Sequence, residues 1–149
     1  MLDELIETAK EFEHAGAWDD ALACYEQGLR SLSRESSPAT AADLLRWIGT
    51  VRRERGELEM ARDVYDVSLA IAELNGLAHQ TAAVLNCMGI VEHLRGHLED
   101  AEALYTRALD QAISLDDQRL AAMLDQNLGA LERREFSQEE LAAIEKILM

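Results

Sequence analysis

Arg46, Arg52, Arg53 and Arg55 crowd into residues 41–55 against only Asp43 and Glu54. That stretch is net positive, while the whole chain carries a formal charge of −15. A guanidinium presents a planar fork of donors that matches a carboxylate. These side chains therefore suit an acidic ligand or a free C-terminal carboxylate; they equally suit the plainer task of neutralising acidic neighbours. Asn86 and Asn127 each offer a donor and an acceptor, the complement of a peptide unit. His93 and His97 are four residues apart, a spacing that on one continuous helix brings both to a metal. Gly96 stands between them and marks a helix end, so no metal site is expected. The sequence contains no GxSxG, no HExxH and no glycine-rich phosphate loop. Carboxylate pairs are inevitable among 29 acidic residues and indicate solvated helix faces. The chain reads as a non-enzyme with no cofactor.

Composition narrows the class further. The 149 residues suit one compact domain or one short array. Hydrophobic residues make up 48% and charged residues 29%, which excludes a disordered chain. No apolar run approaches the ~18–20 residues that span a bilayer. The acidic start, MLDELIETAKEFEH, lacks the basic and apolar segments of a signal peptide, so a cytoplasmic protein is expected. The acidity argues against nucleic acid and anionic membranes as partners. Cys24 and Cys87 lie far apart without a CxxC, and read as free thiols.

The elements that must position these residues are helices. Apolar residues recur at three and four, as in Leu98, Ala101, Leu104, Tyr105, Ala108 and Leu109. No alternating β-branched run suggests a strand. Gly16, Gly56 and Gly96 read as helix stops, as does Asn75-Gly76. Ser37-Pro38 reads as a cap with Pro at the first helical position. Ser137-Gln-Glu-Glu140 fits a capping box. The expected helices are 2–15, 18–34, 38–55, 58–74, 78–95, 98–115, 117–135 and 138–148.

These eight fall into four pairs in strict register. Small residues at Ala9, Gly49, Gly89 and Gly129 are forty apart, as are the turns at Gly16, Gly56, Gly96 and Phe136. The second helices carry Ala21, Ala61, Ala101 and Leu141, then Tyr25, Tyr65, Tyr105 and Glu145. A fixed period of this size indicates a stacked array. The small residues let paired helices cross closely, and the tyrosine is expected to fill space toward the next pair. One pair cannot bury both its faces, so stability must build through contacts between neighbouring repeats.

The pattern resembles the tetratricopeptide repeat family. It is carried by Leu85, Met88, Gly89, Gly96, Leu98, Ala101, Tyr105 and Ala108, and again by Leu45, Ile48, Gly49, Gly56, Leu58, Ala61 and Tyr65. The first repeat matches with Leu5, Ala9, Phe12, Gly16, Trp18, Ala21 and Tyr25; the fourth keeps only Leu128 and Gly129. The resemblance implies an all-α fold, an α-solenoid in the form of a right-handed superhelix of four antiparallel helix pairs. Repeats would cover about 1–37, 38–76, 77–116 and 117–149 of a single domain, the last degenerate. The family's period is about 34 residues. The period of forty here is similar to the long repeats of kinesin light chains and of bacterial regulators.

The resemblance also implies a concave groove lined by the first helix of each pair, with a protein or peptide as partner. Residues near each glycine by helical spacing would line it: Arg46, Thr50 and Arg53, then Asn86 and His93, then Gln126, Asn127 and Arg133. Trp47 is a core residue or sits half-exposed in that groove. A separate reading concerns the last helix, where Leu141, Ile144, Ile147 and Leu148 form an apolar edge. That edge packs back on the seventh helix, pairs with a second copy as a homodimer, or continues into a longer protein. The alternative function is accordingly an assembly element, or the sensor half of a larger regulator.

Overall fold

The computed structural model describes the backbone of residues 1–148 and the side chains of residues 1–133. Its elements are α1 (Leu2–His14), α2 (Trp18–Arg30), α3 (Pro38–Glu54), α4 (Leu58–Leu74), α5 (Ala78–Leu94), α6 (Leu98–Ser114) and α7 (Gln118–Leu148). Among the described residues there is no strand, and no helix is long and apolar enough to cross a membrane.

The period of forty has a simple origin. Helices α3 to α6 are each 17 residues long, and each is followed by a three-residue turn. Two such helices and two such turns complete one repeat. At the α3–α4 turn, the Gly56 amide donates to the Arg53 carbonyl at 2.9 Å and the Glu57 amide to the Arg52 carbonyl at 2.9 Å. These two bonds close the helix and require the residue between cap and successor to be left-handed. Gly56 and Gly96 supply it, both with φ of +81°. The α6–α7 turn uses the same two bonds with Asp116 at φ 55°, the one non-glycine with positive φ among the described residues. Asp tolerates that region better than most side chains.

The link between α2 and α3 departs from this rule. The sequence predicts helix to residue 34, but α2 ends at Arg30. Serines there take over the backbone bonding: Ser31 Oγ donates to the Gly28 carbonyl at 2.6 Å, and Ser36 Oγ accepts from the Ser33 amide at 3.0 Å. Ser37 caps α3 as expected, accepting from the Ala39 amide at 3.2 Å with Pro38 at the first position. A second departure lies at Phe136. The sequence predicts a turn and an eighth helix there, whereas α7 runs as one element to Leu148. Phe cannot enter the left-handed region at glycine's low cost.

Each helix packs on its chain neighbours, and α3 also meets α5, and α5 meets α7. The first helices thus form one layer and α2, α4 and α6 a second. The core is correspondingly divided among successive interfaces. One cluster joins Ala9, Ala21, Tyr25, Leu44 and Ile48; another joins Ala61, Tyr65, Val84 and Val91; a third joins Leu85, Ala101, Tyr105, Ala108 and Leu124. This is a solenoid, in which each unit is stabilised by the next.

Tyr65 and Tyr105 are fully buried. Tyr65 shares a core cluster with Val84 and Val91 of α5, and Tyr105 with Leu124 of α7, in line with the expectation that they fill space toward the next pair. Each also covers its own hairpin. A Cβ on Gly49 would meet Tyr65 Cε1 at 2.5 Å, and one on Gly89 would meet Tyr105 Cε1 at 2.5 Å. Each ring therefore lies on the glycine of its own hairpin. The first repeat has Ala9 at this position, and Tyr25 instead bonds Glu13 and stacks on Trp47 with centroids 5.8 Å apart. At Gly129 the near atom is the tip of Arg133, at 3.3 Å from a Cβ.

Candidate functional site

The first-helix layer carries the sequence-predicted groove residues: Arg46, Thr50 and Arg53 on α3, Asn86 and His93 on α5, and Gln126, Asn127 and Arg133 on α7. Forty-residue register puts Arg46, Asn86 and Gln126 at equivalent places, and likewise Arg53, His93 and Arg133. The structure gives several of these side chains internal duties. Thr50 Oγ1 donates to the Arg46 carbonyl at 3.0 Å and lies 2.9 Å from the Tyr65 hydroxyl. Asn127 Nδ2 donates to Asn86 Oδ1 at 2.8 Å, tying α7 to α5. Asn86 is only 5% exposed. His93 sets its ring edge-on to Tyr105 at 6.4 Å.

The arginine-rich stretch divides into two groups. Arg52 reaches back to Glu26 and forward to Glu57, both at 3.4 Å. Arg55 pairs with Asp19 at 3.0 Å and Glu57 at 3.1 Å. These two neutralise the acidic residues of α2 and the turn. Arg46 bonds Asp43 at 3.3 Å through one terminal nitrogen, while its buried Nε has no partner among the described residues. Arg53 pairs with Glu54 at 3.2 Å. Burial opposes the charge on Arg53, but Tyr65, Cys87 and Glu54 outweigh it and shift the guanidinium upward.

Trp47 forms the floor between α1 and α3. It is half-buried against the first core cluster. Lys10 Nζ stands 4.6 Å from its ring centroid and Arg46 Cζ 5.6 Å. Both distances are within the range of cation–π attraction. Two cations from different first helices are thus held on one indole.

Beyond Trp47 an open hollow of about 340 Å³ runs across the starts of α3, α5 and α7. Asp43, Arg46, His79, Arg119 and Met123 border it, and among the described residues no second helix contributes. Sequence reasoning missed His79, Arg119 and Met123 because it searched within about one turn of each glycine. The longer helices add a turn at this end. The signal was available: Arg119 follows His79 by forty residues, and Met123 lies one further turn along.

His93 and His97 are separated by the turn at Gly96 and serve different partners. His97 Nδ1 lies 2.7 Å from Glu92 Oε2. Glu92, His97 and Asp100 place their ligand atoms within 4.8 Å of one another. Arg95 at 3.4 Å and Arg62 at 3.9 Å also attend Glu92. That carboxylate is already compensated by cations, so the group reads as an ion-pair network closing the α5–α6 turn.

The Tetratricopeptide repeat model matches residues 40–114, half of the chain. The chain belongs to the tetratricopeptide repeat family. The glycine–tyrosine pairs and the glycine turns of α3 to α6 lie inside that match.

No curated protein matches. Solved structures show the same fold at low identity. BtubC (BKLC) from P. vanneervenii aligns with a TM-score of 0.75 at 23% identity, over 85% of this chain and 52% of that one. The Rap conjugation gene regulator of the plasmid pLS20, in complex with the Phr* peptide, gives 0.79 at 17%, over 91% and 38%. PcrH in complex with the chaperone binding region of PopD gives 0.68 at 23%, over 90% and 92%. The chain spans about half or less of the length of the first two.

Proposed function

We propose that this tetratricopeptide repeat chain is a protein-interaction module that holds a peptide or partner segment along its first helices. The ligand is acidic or ends in a free carboxylate. The observation that carries this reading is the pair of cations over Trp47, Lys10 and Arg46, on the inner layer of a chain with a charge of −15. Among the described residues the Arg46 guanidinium meets one carboxylate through a single terminal nitrogen, so its fork suits such a ligand, and Arg53 carries a second guanidinium about two turns further along. The Asn86–Asn127 bond leaves the Asn127 carbonyl as acceptor for a peptide amide. The peptide in the pLS20 regulator and the PopD region on PcrH lend support by likeness of fold. BtubC and the pLS20 regulator are much longer than this chain, so partners of the whole protein are part of the proposal.

The test is a titration of the chain with an acidic peptide, followed through tryptophan fluorescence, using Arg46→Ala, Arg53→Ala and the double variant. The double variant is expected to bind at least about tenfold more weakly, or ~1.4 kcal/mol, with an unchanged circular dichroism spectrum. Equal binding by the double variant removes the groove assignment. Amidating the peptide's C-terminus separates a free carboxylate from acidic side chains as the group recognised.

The apolar edge at Leu141, Ile144, Ile147 and Leu148 lies outside the residues whose side chains are described. Self-association through it remains a proposal, read by sedimentation of Leu141→Glu, Ile144→Glu.

A further inference from the structure

The second-layer helices α4 and α6 have the same pattern of burial, residue for residue, from Ala61 to Leu74 and from Ala101 to Ser114. Their outer positions can therefore be compared directly, and α2 falls in the same register. Where α6 places Asp100, Arg107 and Ser114, and α2 places Asp20 and Gln27, α4 places Met60, Val67 and Leu74. These three are 45%, 51% and 85% exposed. They recur every seven residues, with Ala70 beside them, which makes one apolar stripe on a helix. The repeat fold does not require it, because the sister helices bear polar residues in the same places. The stripe extends about 21 Å, or four turns.

The borders of the stripe specify what fits. On one side Glu59, Asp63 and Asp66 follow one another at four and three residues, all exposed. None has a cationic partner among the described residues, whereas Glu73 is paired with Arg107 at 3.3 Å. At the Met60 end a hollow of about 300 Å³ opens between α2 and α4, bordered by Leu29, Ile48, Met60 and Val64. An apolar ridge, a receiving hollow and three uncompensated carboxylates describe the complement of an amphipathic helix.

We propose that the outer face of α4 docks a basic amphipathic helix of a partner protein, its apolar side on Met60, Val67 and Leu74 and its Lys or Arg side chains against Glu59, Asp63 and Asp66. A second copy of this chain is a poor occupant. The one base on α4, Arg62, is turned to Glu92, and self-pairing would bring carboxylates together. The acidic border likewise opposes an anionic membrane. This surface lies on the layer opposite the groove and does not depend on it.

The test uses the full chain and three synthetic peptides of about 18 residues: one with leucines in a helical stripe bordered by lysines, its scrambled isomer, and a version with Glu for Lys. Fluorescence anisotropy is expected to show the striped basic peptide binding at least about tenfold more tightly than either control. Val67→Ser, Leu74→Ser should remove that preference without altering the circular dichroism spectrum, while Arg46→Ala, Arg53→Ala should leave it intact. Equal binding of the scrambled isomer, or unaltered binding by the Val67/Leu74 variant, overturns the proposal. So does a concentration-dependent dimer of the parent chain that Val67→Ser, Leu74→Ser dissociates, since the occupant is then a second copy.

Discussion

The phenol ring of Tyr105 occupies the place where a side chain at residue 89 would begin, with Cε1 at 2.5 Å from an ideal Cβ on Gly89. Tyr65 and Gly49 repeat the relationship forty residues earlier. The ring is buried on all sides, so it has nowhere to retreat. Truncating such an aromatic costs about 3–5 kcal/mol, and displacing it has a cost of its own.

Gly89→Ala is therefore expected to destabilise the chain by about 1–3 kcal/mol in urea unfolding. Combining it with Tyr105→Leu should cost less than the two changes added together, because the leucine vacates the site. Gly129→Ala is the control. Its nearest neighbour among the described residues is the flexible tip of Arg133, and alanine is the better helix former by about 1 kcal/mol. That variant should be neutral or stabilised. Similar losses at 89 and 129 would contradict the packing account.

The three tyrosines should resist alkaline titration. Burial raises the Tyr105 phenol from 10.0 to about 12. Tyr65 is pushed up further, by burial and then by Cys87, and Tyr25 by burial and then by its bond to Glu13. A raised phenol keeps its proton in the folded chain while the unfolded chain gives it up. The associated stability is complete below about pH 10 and is lost as pH climbs through 12, at up to about 1.4 kcal/mol per pH unit for each phenol. Phenolate absorbance should appear together with loss of helix, and Tyr105→Phe should make the decline shallower. Phenolate formation centred on pH 10 in a still-helical chain would show that these hydroxyls are open to solvent.

The Asn127–Asn86 hydrogen bond, 2.8 Å long, joins first helices of successive repeats across 41 residues of sequence. Removing Asn127 strands Asn86, which is largely buried. Asn127→Ala should cost about 1–3 kcal/mol. The double change to alanine should cost clearly less than the sum of the single changes, with a coupling of about 0.5–3 kcal/mol in a double-mutant cycle. Additive losses would mean that the two amides act separately.

The α6–α7 turn offers a local test. Asp116 takes the left-handed place that Gly56 and Gly96 hold in the other turns, and Asp116→Gly should raise the thermal midpoint by relieving up to about 1 kcal/mol. Asp117 beside it accepts from the Leu120 amide at 3.0 Å through Oδ1. Asp117→Ala should lower stability by about 1 kcal/mol. A lower midpoint for Asp116→Gly would indicate that the aspartate stabilises the turn by more than its backbone costs.

The amino-acid sequence by itself determined the repeat. Helix length, the turns at Gly56 and Gly96, the cap at Ser37 and the face on which Arg46 and Arg53 stand all follow from residues within a few positions of one another, where helical geometry leaves little choice. The tertiary structure alone decided how side chains were shared between helices. Arg52 found Glu26, Asn127 found Asn86, and Tyr105 settled on Gly89 of its own hairpin. Such partners stand 16 to 41 residues apart. Helical spacing fixes the direction in which a side chain leaves its helix; which neighbouring group receives it depends on how closely the next helix approaches. The same holds for the α4 stripe: Met60, Val67 and Leu74 could have been core residues by type, and only the packing of α4 on α3 and α5 left them facing outward.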